Sequence, residues 1–224
     1  MINKELLPIA PVKECLNPKA KIPLGVTPEH VLQAMREFTQ FLTGVDSGLM
    51  ERDTPRLEDM LMPANFSSIV GEFIAANIPK YSKGVVRNKY HNGHPDILPA
   101  GKYPGDAAQH AGADGIEVKG SRYLSAWQGH NAEDAWLMVF VFAGGRPTDV
   151  AKQIEPKPFK FLMVTGALLN KSDWKFAGRS ETSRRTITAS VTPGGAEKMK
   201  KNWIYMCDEL RKTELQLILN DRDE

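Results

Sequence analysis

Residues 135 to 142 read Ala-Trp-Leu-Met-Val-Phe-Val-Phe, an apolar run of strand length with no polar position to turn toward water. A strand with one wet face alternates apolar and polar residues, whereas an unbroken run belongs to a strand covered on both faces. The segment therefore predicts a central strand in a sheet with packed layers on either side. Phe159 to Thr165 has the same character and predicts a second buried strand.

Helical signals supply the cover. Thr27-Pro28-Glu29 joins an N-cap, a proline at the first helical position and an acid, and Val31, Leu32, Met35, Phe38, Phe41 and Leu42 then recur at helical spacing up to Gly44. Thr54-Pro55 opens a shorter helix with Leu57, Met60 and Leu61. Asn65 to Ile78 predicts a third, closed by Pro79, with Phe66, Ile69, Val70, Phe73 and Ile74 as its apolar stripe. Gly84 to Tyr90 reads as a first strand, Asn92-Gly93 as a turn, 99–112 as a long loop and Ala113 to Lys119 as another strand. Further on, Pro147 to Ile154 predicts a short helix, Thr186 to Val191 an alternating strand, Gly195 to Leu210 a helix and Glu214 to Leu219 an apolar tail. The pattern as a whole predicts an α/β fold, a mixed central β-sheet flanked by helices, with an N-terminal helical segment.

At 224 residues the chain suits one elaborated domain. An irregular arm and helices occupy 1–64, a core 65–170, and a basic C-terminal subregion 171–224. No apolar run reaches 18 residues and the start lacks a signal-peptide core, so no membrane partner is expected and a soluble, cytoplasmic protein is. The two cysteines, Cys15 and Cys207, stand alone, which disfavours a disulfide framework or a structural zinc site. Net charge is only +2, but residues 160–212 hold 11 Lys and Arg against 5 Asp and Glu, and residues 80–102 hold 5 against Asp96 alone. Basic segments on either side of an acidic site suit a phosphate backbone, although charges at 25% of positions also cluster without purpose.

The chemistry-bearing residues are Pro95-Asp96 and, 21 positions beyond Asp96, Glu117-Val118-Lys119. On a strand Glu117 and Lys119 share a face and Val118 takes the other. Two carboxylates and a lysine can hold Mg²⁺ and a water beside a phosphate. This arrangement resembles the PD-(D/E)xK nuclease superfamily, in particular its type II restriction endonucleases. The resemblance is direct over Pro95 to Arg122 and extends in outline from about Phe66 to Thr165. It implies a restriction-endonuclease-like fold and Mg²⁺-dependent, sequence-specific cleavage of double-stranded DNA by a homodimer. It implies Asp96 and Glu117 as metal ligands, the Val118 carbonyl as a further one, and Lys119 positioning or deprotonating the attacking water. Glu72, on the helix before the sheet, and Asp114, at the entry to the strand, are accessory candidates. Asp106 rivals Asp96 if the register differs.

The segment after the Glu-x-Lys strand commonly approaches DNA in such enzymes, which marks Arg122, Trp127, Gln128, His130 and Asn131. Arg179, Arg184 and Arg185 form the densest basic loop, with Lys171 and Lys175 before it and Lys198, Lys200 and Lys201 after it. A solvated basic face is the plainer reading of each. The alternatives in function are a repair or recombination endonuclease of the same fold, and a DNA-binding protein without catalysis.

Overall fold

The computed structural model describes residues 3–129, 131–149, 151–176 and 188–213. Its centre is a six-stranded mixed sheet in the order β1-β2-β3-β5-β6-β9. These strands are β1 (Val85–Arg87), β2 (Ile97–Pro99), β3 (Ile116–Ser121), β5 (Ala135–Ala143), β6 (Lys160–Leu169) and β9 (Trp203–Met206). β3 and β5 run parallel and the remaining neighbours antiparallel. A three-stranded antiparallel sheet, β4 (Gln128–Gly129), β8 (Ala189–Val191) and β7 (Trp174–Phe176), packs beside it. The expected α/β architecture, a mixed central sheet flanked by helices, is what the chain adopts.

β5 fulfils the expectation drawn from its sequence: every residue from Ala135 to Phe142 is buried. Alternation sends Trp136, Met138, Phe140 and Phe142 to one face and Leu137, Val139 and Val141 to the other. The first face packs against α1 (Pro28–Met50) and α3 (Pro63–Tyr81). There Phe38 meets Phe73 at 5.4 Å, Phe159 at 5.3 Å and Phe161 at 5.9 Å between ring centroids. The second face packs on Trp127, Trp174, Val191 and Met199.

α1 starts at its cap. Thr27 Oγ1 accepts the His30 N–H at 3.3 Å, and His30 Nδ1 accepts the Thr27 N–H at 3.2 Å. The helix passes Gly44, its expected end, because Asp46 is buried beyond it and accepts the N–H of Leu57 at 2.9 Å, tying its last turns to α2 (Leu57–Met60). α3 likewise continues through Pro79 into its final turn. The N-terminal arm is irregular, as expected, yet it is packed: Cys15, Leu16 and Val26 belong to the core, and the Asn17 N–H donates to the Ile204 carbonyl at 2.9 Å.

Two expectations need correction, and two others fall partly or wholly outside the described residues. Gly195 to Leu210 is not one helix. α4 (Pro193–Lys201) ends at Asn202, and Trp203-Ile-Tyr-Met206 becomes the sheet's edge strand beside β6, with Ile204, Tyr205 and Met206 buried. The described residues of 147–154 form turns rather than a helix. Of the strand expected over 186–191, Ala189–Val191 is present, while Thr186 and Ile187 lie outside the described residues, as does the tail 214–219.

Close packing of α3 on β3 depends on Gly120. A Cβ there would stand 2.4 Å from the Ser67 carbonyl oxygen, whereas one on Gly71 would make only ordinary contact, 3.4 Å from the Val118 carbonyl oxygen. The Gly120 clash is with helix backbone, which cannot swing aside. Gly120→Ala is expected to force α3 off the sheet and cost about 1–3 kcal/mol, the range for overpacking, read as a lowered urea midpoint. An unchanged midpoint would show that helix and strand approach less closely than this.

Candidate active site

The site forms where two strands part. β2 and β3 pair at Ile97 and Ile116 alone. One step beyond that pair, Asp96 and Glu117 stand opposite each other, and the β3 backbone has lost its β2 partner. The N–H of Val118 therefore donates to Asp96 Oδ2 at 2.8 Å. Glu117 lies opposite Leu137 and Lys119 opposite Val139, so both sit on the second face of the sheet, while Val118 is buried in the helix-covered core. The alternation read from the sequence holds, and Asp96, Glu117 and Lys119 are brought together.

Lys119 Nζ pairs with Glu117 Oε1. The other Glu117 oxygen, Oε2, lies 2.9 Å from His94 Nδ1, a charge contact whose N–H does not point along the line, so this buried oxygen has no aligned donor. His94 Nε2 is 3.4 Å from Glu133, and the ring stacks on His110 at 5.6 Å between centroids. The place of His94 beside Glu117 follows from the His94 and His110 backbones meeting in a parallel bridge, a long-range pairing with no local signal in the sequence.

Electrostatics separate the two acids. Burial, then the negative charge of Glu117, raise the pKa of Asp96 well above the usual carboxylate range. Burial would raise Glu117 too, but the His94 contact and the Lys119 ammonium outweigh it and hold it low. Burial pulls Lys119 down, and the charges of Glu117 and Asp96 more than compensate, so Lys119 remains an ammonium. In this arrangement it can orient a water or offset phosphate charge but does not take up a proton. Burial likewise disfavours the His94 cation, and Glu117 and Glu133 reverse the shift upward.

Asp96 opens onto a cleft of about 220 Å³ shared with Ser67, Gly71, Glu72, Val118 and Lys119. Glu117 and Lys119 border a second cavity of about 20 Å³ with His94, Glu133 and Trp174. Lys119 thus lies between them. Among the described residues no cluster of three or more His, Cys, Asp or Glu forms a ready-made metal cage. The donor set is instead two carboxylates from opposed strands, one with an oxygen lacking an aligned donor, and the carbonyl of Val118, a residue that lines the Asp96 cleft. Such a hard oxygen set suits Mg²⁺, which keeps several waters.

The remaining candidates divide. Glu72 borders the Asp96 cleft and pairs with Arg87. Asp114 accepts from Tyr103 Oη at 2.6 Å and pairs with Lys102, outside these clefts. Asp106 pairs with Lys89 at 2.9 Å, so Asp96 is the acid that meets Glu117. Arg122 is turned inward. Its guanidinium donates to the Gly144 and Gly145 carbonyls at 3.0 and 2.8 Å and lies over the rings of Phe66 and Phe142, which leaves a base edge out of its reach in this conformation. Trp127 is core, 3% exposed. Gln128 and Asn131 are exposed, and Gln128 borders a large cleft beside Lys119. His130, Arg179, Arg184 and Arg185 lie outside the described residues. Lys198 pairs with Asp173 at 3.1 Å and Lys201 with Glu197 at 2.8 Å.

Comparison of the chain with models of known protein families, with curated proteins and with solved structures returns no match. Among the described residues no helix is long and apolar enough to cross a membrane.

Proposed function

We propose that this protein is a metal-dependent endonuclease of restriction-endonuclease type, cutting double-stranded DNA at a specific sequence and acting as a homodimer. The observation that carries the reading is the meeting of Asp96 and Glu117 across the parted ends of β2 and β3, with Lys119 two positions along the same strand. Supporting it, three clefts join end to end through shared lining residues. Arg87, Lys89 and His91 border one of about 550 Å³, Glu72 and Asp96 link it to the Asp96 cleft, and Ser67, Lys119 and Gly120 link that in turn to a cleft of about 670 Å³. A nucleic-acid strand lying along this groove crosses the candidate site at its middle.

In this reading Asp96, Glu117 and the Val118 carbonyl hold Mg²⁺, which when bound polarises a phosphate oxygen and acidifies a water. Lys119, an ammonium, orients the attacking water and offsets charge developing on the phosphate. Arg87 and Lys89 offset the charge of the phosphates entering the groove. The Glu72–Arg87 pair fixes Glu72 at the mouth of the Asp96 cleft.

Digestion of plasmid and phage DNA in Mg²⁺ or Mn²⁺ tests this. Discrete fragments with constant ends are expected, and a smear would remove the sequence specificity. DNA left intact with both cations would overturn the nuclease reading. Sedimentation of the protein, free and on a cleaved-site duplex, tests the dimer; a monomer in both states would overturn it. A DNA methyltransferase gene beside this one would support restriction over repair.

A further inference from the structure

We propose that the large cleft beside Lys119 takes an unpaired nucleobase next to the scissile phosphate, stacked on Tyr123. The inference rests on the nuclease reading and names what the groove holds on one side of the cut. The cleft, about 670 Å³, lies between the first turns of α3 and the segment Gly120–Gln128, and it shares Lys119 and Gly120 with the Asp96 cleft. Its size falls within the range of about 300–1,000 Å³ typical of pockets for small molecules.

The lining joins apolar and aromatic surface to positive charge. Tyr123, 68% exposed, and Leu124, 39% exposed, border it, with Lys119, Arg122 and Arg146 as its charges, Arg122 being engaged by the Gly144 and Gly145 carbonyls. The turn that presents them is braced. The Tyr123 N–H donates to Ser121 Oγ at 3.0 Å, and the Tyr123 carbonyl accepts from Trp127 Nε1 at 2.8 Å. Trp127 is itself locked in the core of the second face. Ala126 has φ of 55°, the left-handed region that alanine seldom occupies, held there by the surrounding turn. A buried tryptophan thus anchors the backbone of an exposed tyrosine at the cleft, so that the loop carrying the ring needs no ordering on binding.

A paired base turns inward and is stacked on its neighbours, so a regular duplex presents phosphates and groove edges to such a cleft. A hollow bordered by an exposed aromatic ring and by Lys119, four positions before it, instead suits the face of a base that has left the stack. Such a base arises by extrusion from a duplex or from a single-stranded end.

Binding in EDTA separates this proposal from catalysis. The probes are an oligonucleotide carrying 2-aminopurine as a free strand, the same strand in a perfect duplex, and a duplex in which the 2-aminopurine is unpaired. Quenching of the unpaired probe on binding is expected. Tyr123→Ala is expected to weaken binding of the free strand and of the unpaired duplex about 5- to 150-fold, the cost of losing one stacked base, while Tyr123→Phe keeps both the affinity and the quenching. A change in the perfect duplex marks extrusion as the source, and a response confined to the free strand and the unpaired probe marks pre-existing unpaired bases. Equal binding of all probes by Tyr123→Ala and the parent overturns the proposal, as does failure of both the free strand and the unpaired duplex to bind. Digestion of plasmid by the same preparations reads the nuclease reading separately. Cutting that survives with a silent Tyr123 would discard the base pocket alone.

Discussion

Glu117→Gln is expected to abolish DNA cleavage while leaving the fold in place. The amide keeps the shape of the side chain in the β3 register opposite Leu137 but removes the charge that would hold a cation. Loss of several kcal/mol of charge stabilisation corresponds to on the order of 10³-fold or more in rate, at one factor of ten for each 1.4 kcal/mol. Asp96→Asn should act alike, since the amide oxygen can still accept the Val118 N–H and preserve the β2–β3 junction. Lys119→Met removes the ammonium and leaves Glu117 with His94 as its nearest cation. DNA affinity should hold or rise in the two carboxylate variants, because negative charge facing the phosphate has been removed. Rates on plasmid, melting temperatures and filter binding on the same preparations check all three. Cleavage at the parental rate by Glu117→Gln would end the assignment; cleavage kept by Asp96→Asn but lost in Asp106→Asn would move the first ligand.

The sequence carried the site better than it carried the surroundings. Glu117 and Lys119 were legible because strand alternation is local: two residues apart means one face. The partnership of Asp96 with Glu117 depends on the antiparallel register of β2 on β3, which the 20 intervening residues do not encode in any short pattern. Arg122 shows why residue type misleads. An arginine in a polar stretch after the strand suggests a base reader, yet two backbone carbonyls and two phenylalanine rings draw it inward, and those come from 56 residues before it and 20 to 23 after. The β5 core was readable because burial on both faces imposes an unbroken apolar run. β9 was not, because Trp203-Ile-Tyr-Met206 follows a helix whose spacing it can also continue, and only pairing with β6 decides the matter.

The second large effect concerns stability, at Arg56. This arginine is buried and binds four ways. It donates to the Leu6 and Lys157 carbonyls, each at 2.9 Å, and to Asp59 at 2.8 Å, and it lies 3.3 Å from Glu58. It therefore ties the N-terminal arm and the segment before β6 to α2. Arg56→Met is expected to lose about 3–5 kcal/mol, the cost of breaking a buried pair and stranding its partner, out of the ~5–15 kcal/mol that holds a domain folded. Glu58, fully buried, has no aligned hydrogen bond in its ionised form, and burial, then the charge of Asp46, push its pKa up to about 7. A carboxyl raised in the folded state binds more protons there than in the unfolded chain. Its contribution is thus fully present below its ordinary value of 4.5 and fades as pH rises through about 7. The loss is at most about 3 kcal/mol, at roughly 1.4 kcal/mol per pKa unit. Glu58→Gln cannot ionise, so it should raise the melting temperature relative to the parent more at pH 8 than at pH 5. The difference between the two proteins isolates the interacting Glu58–Asp46 pair from Asp96, whose shift runs in the same direction. Parallel pH profiles for parent and Glu58→Gln would mean that Glu58 is ionised throughout, and an Arg56→Met protein within about 1 kcal/mol of the parent would fall below the cost of a broken buried pair.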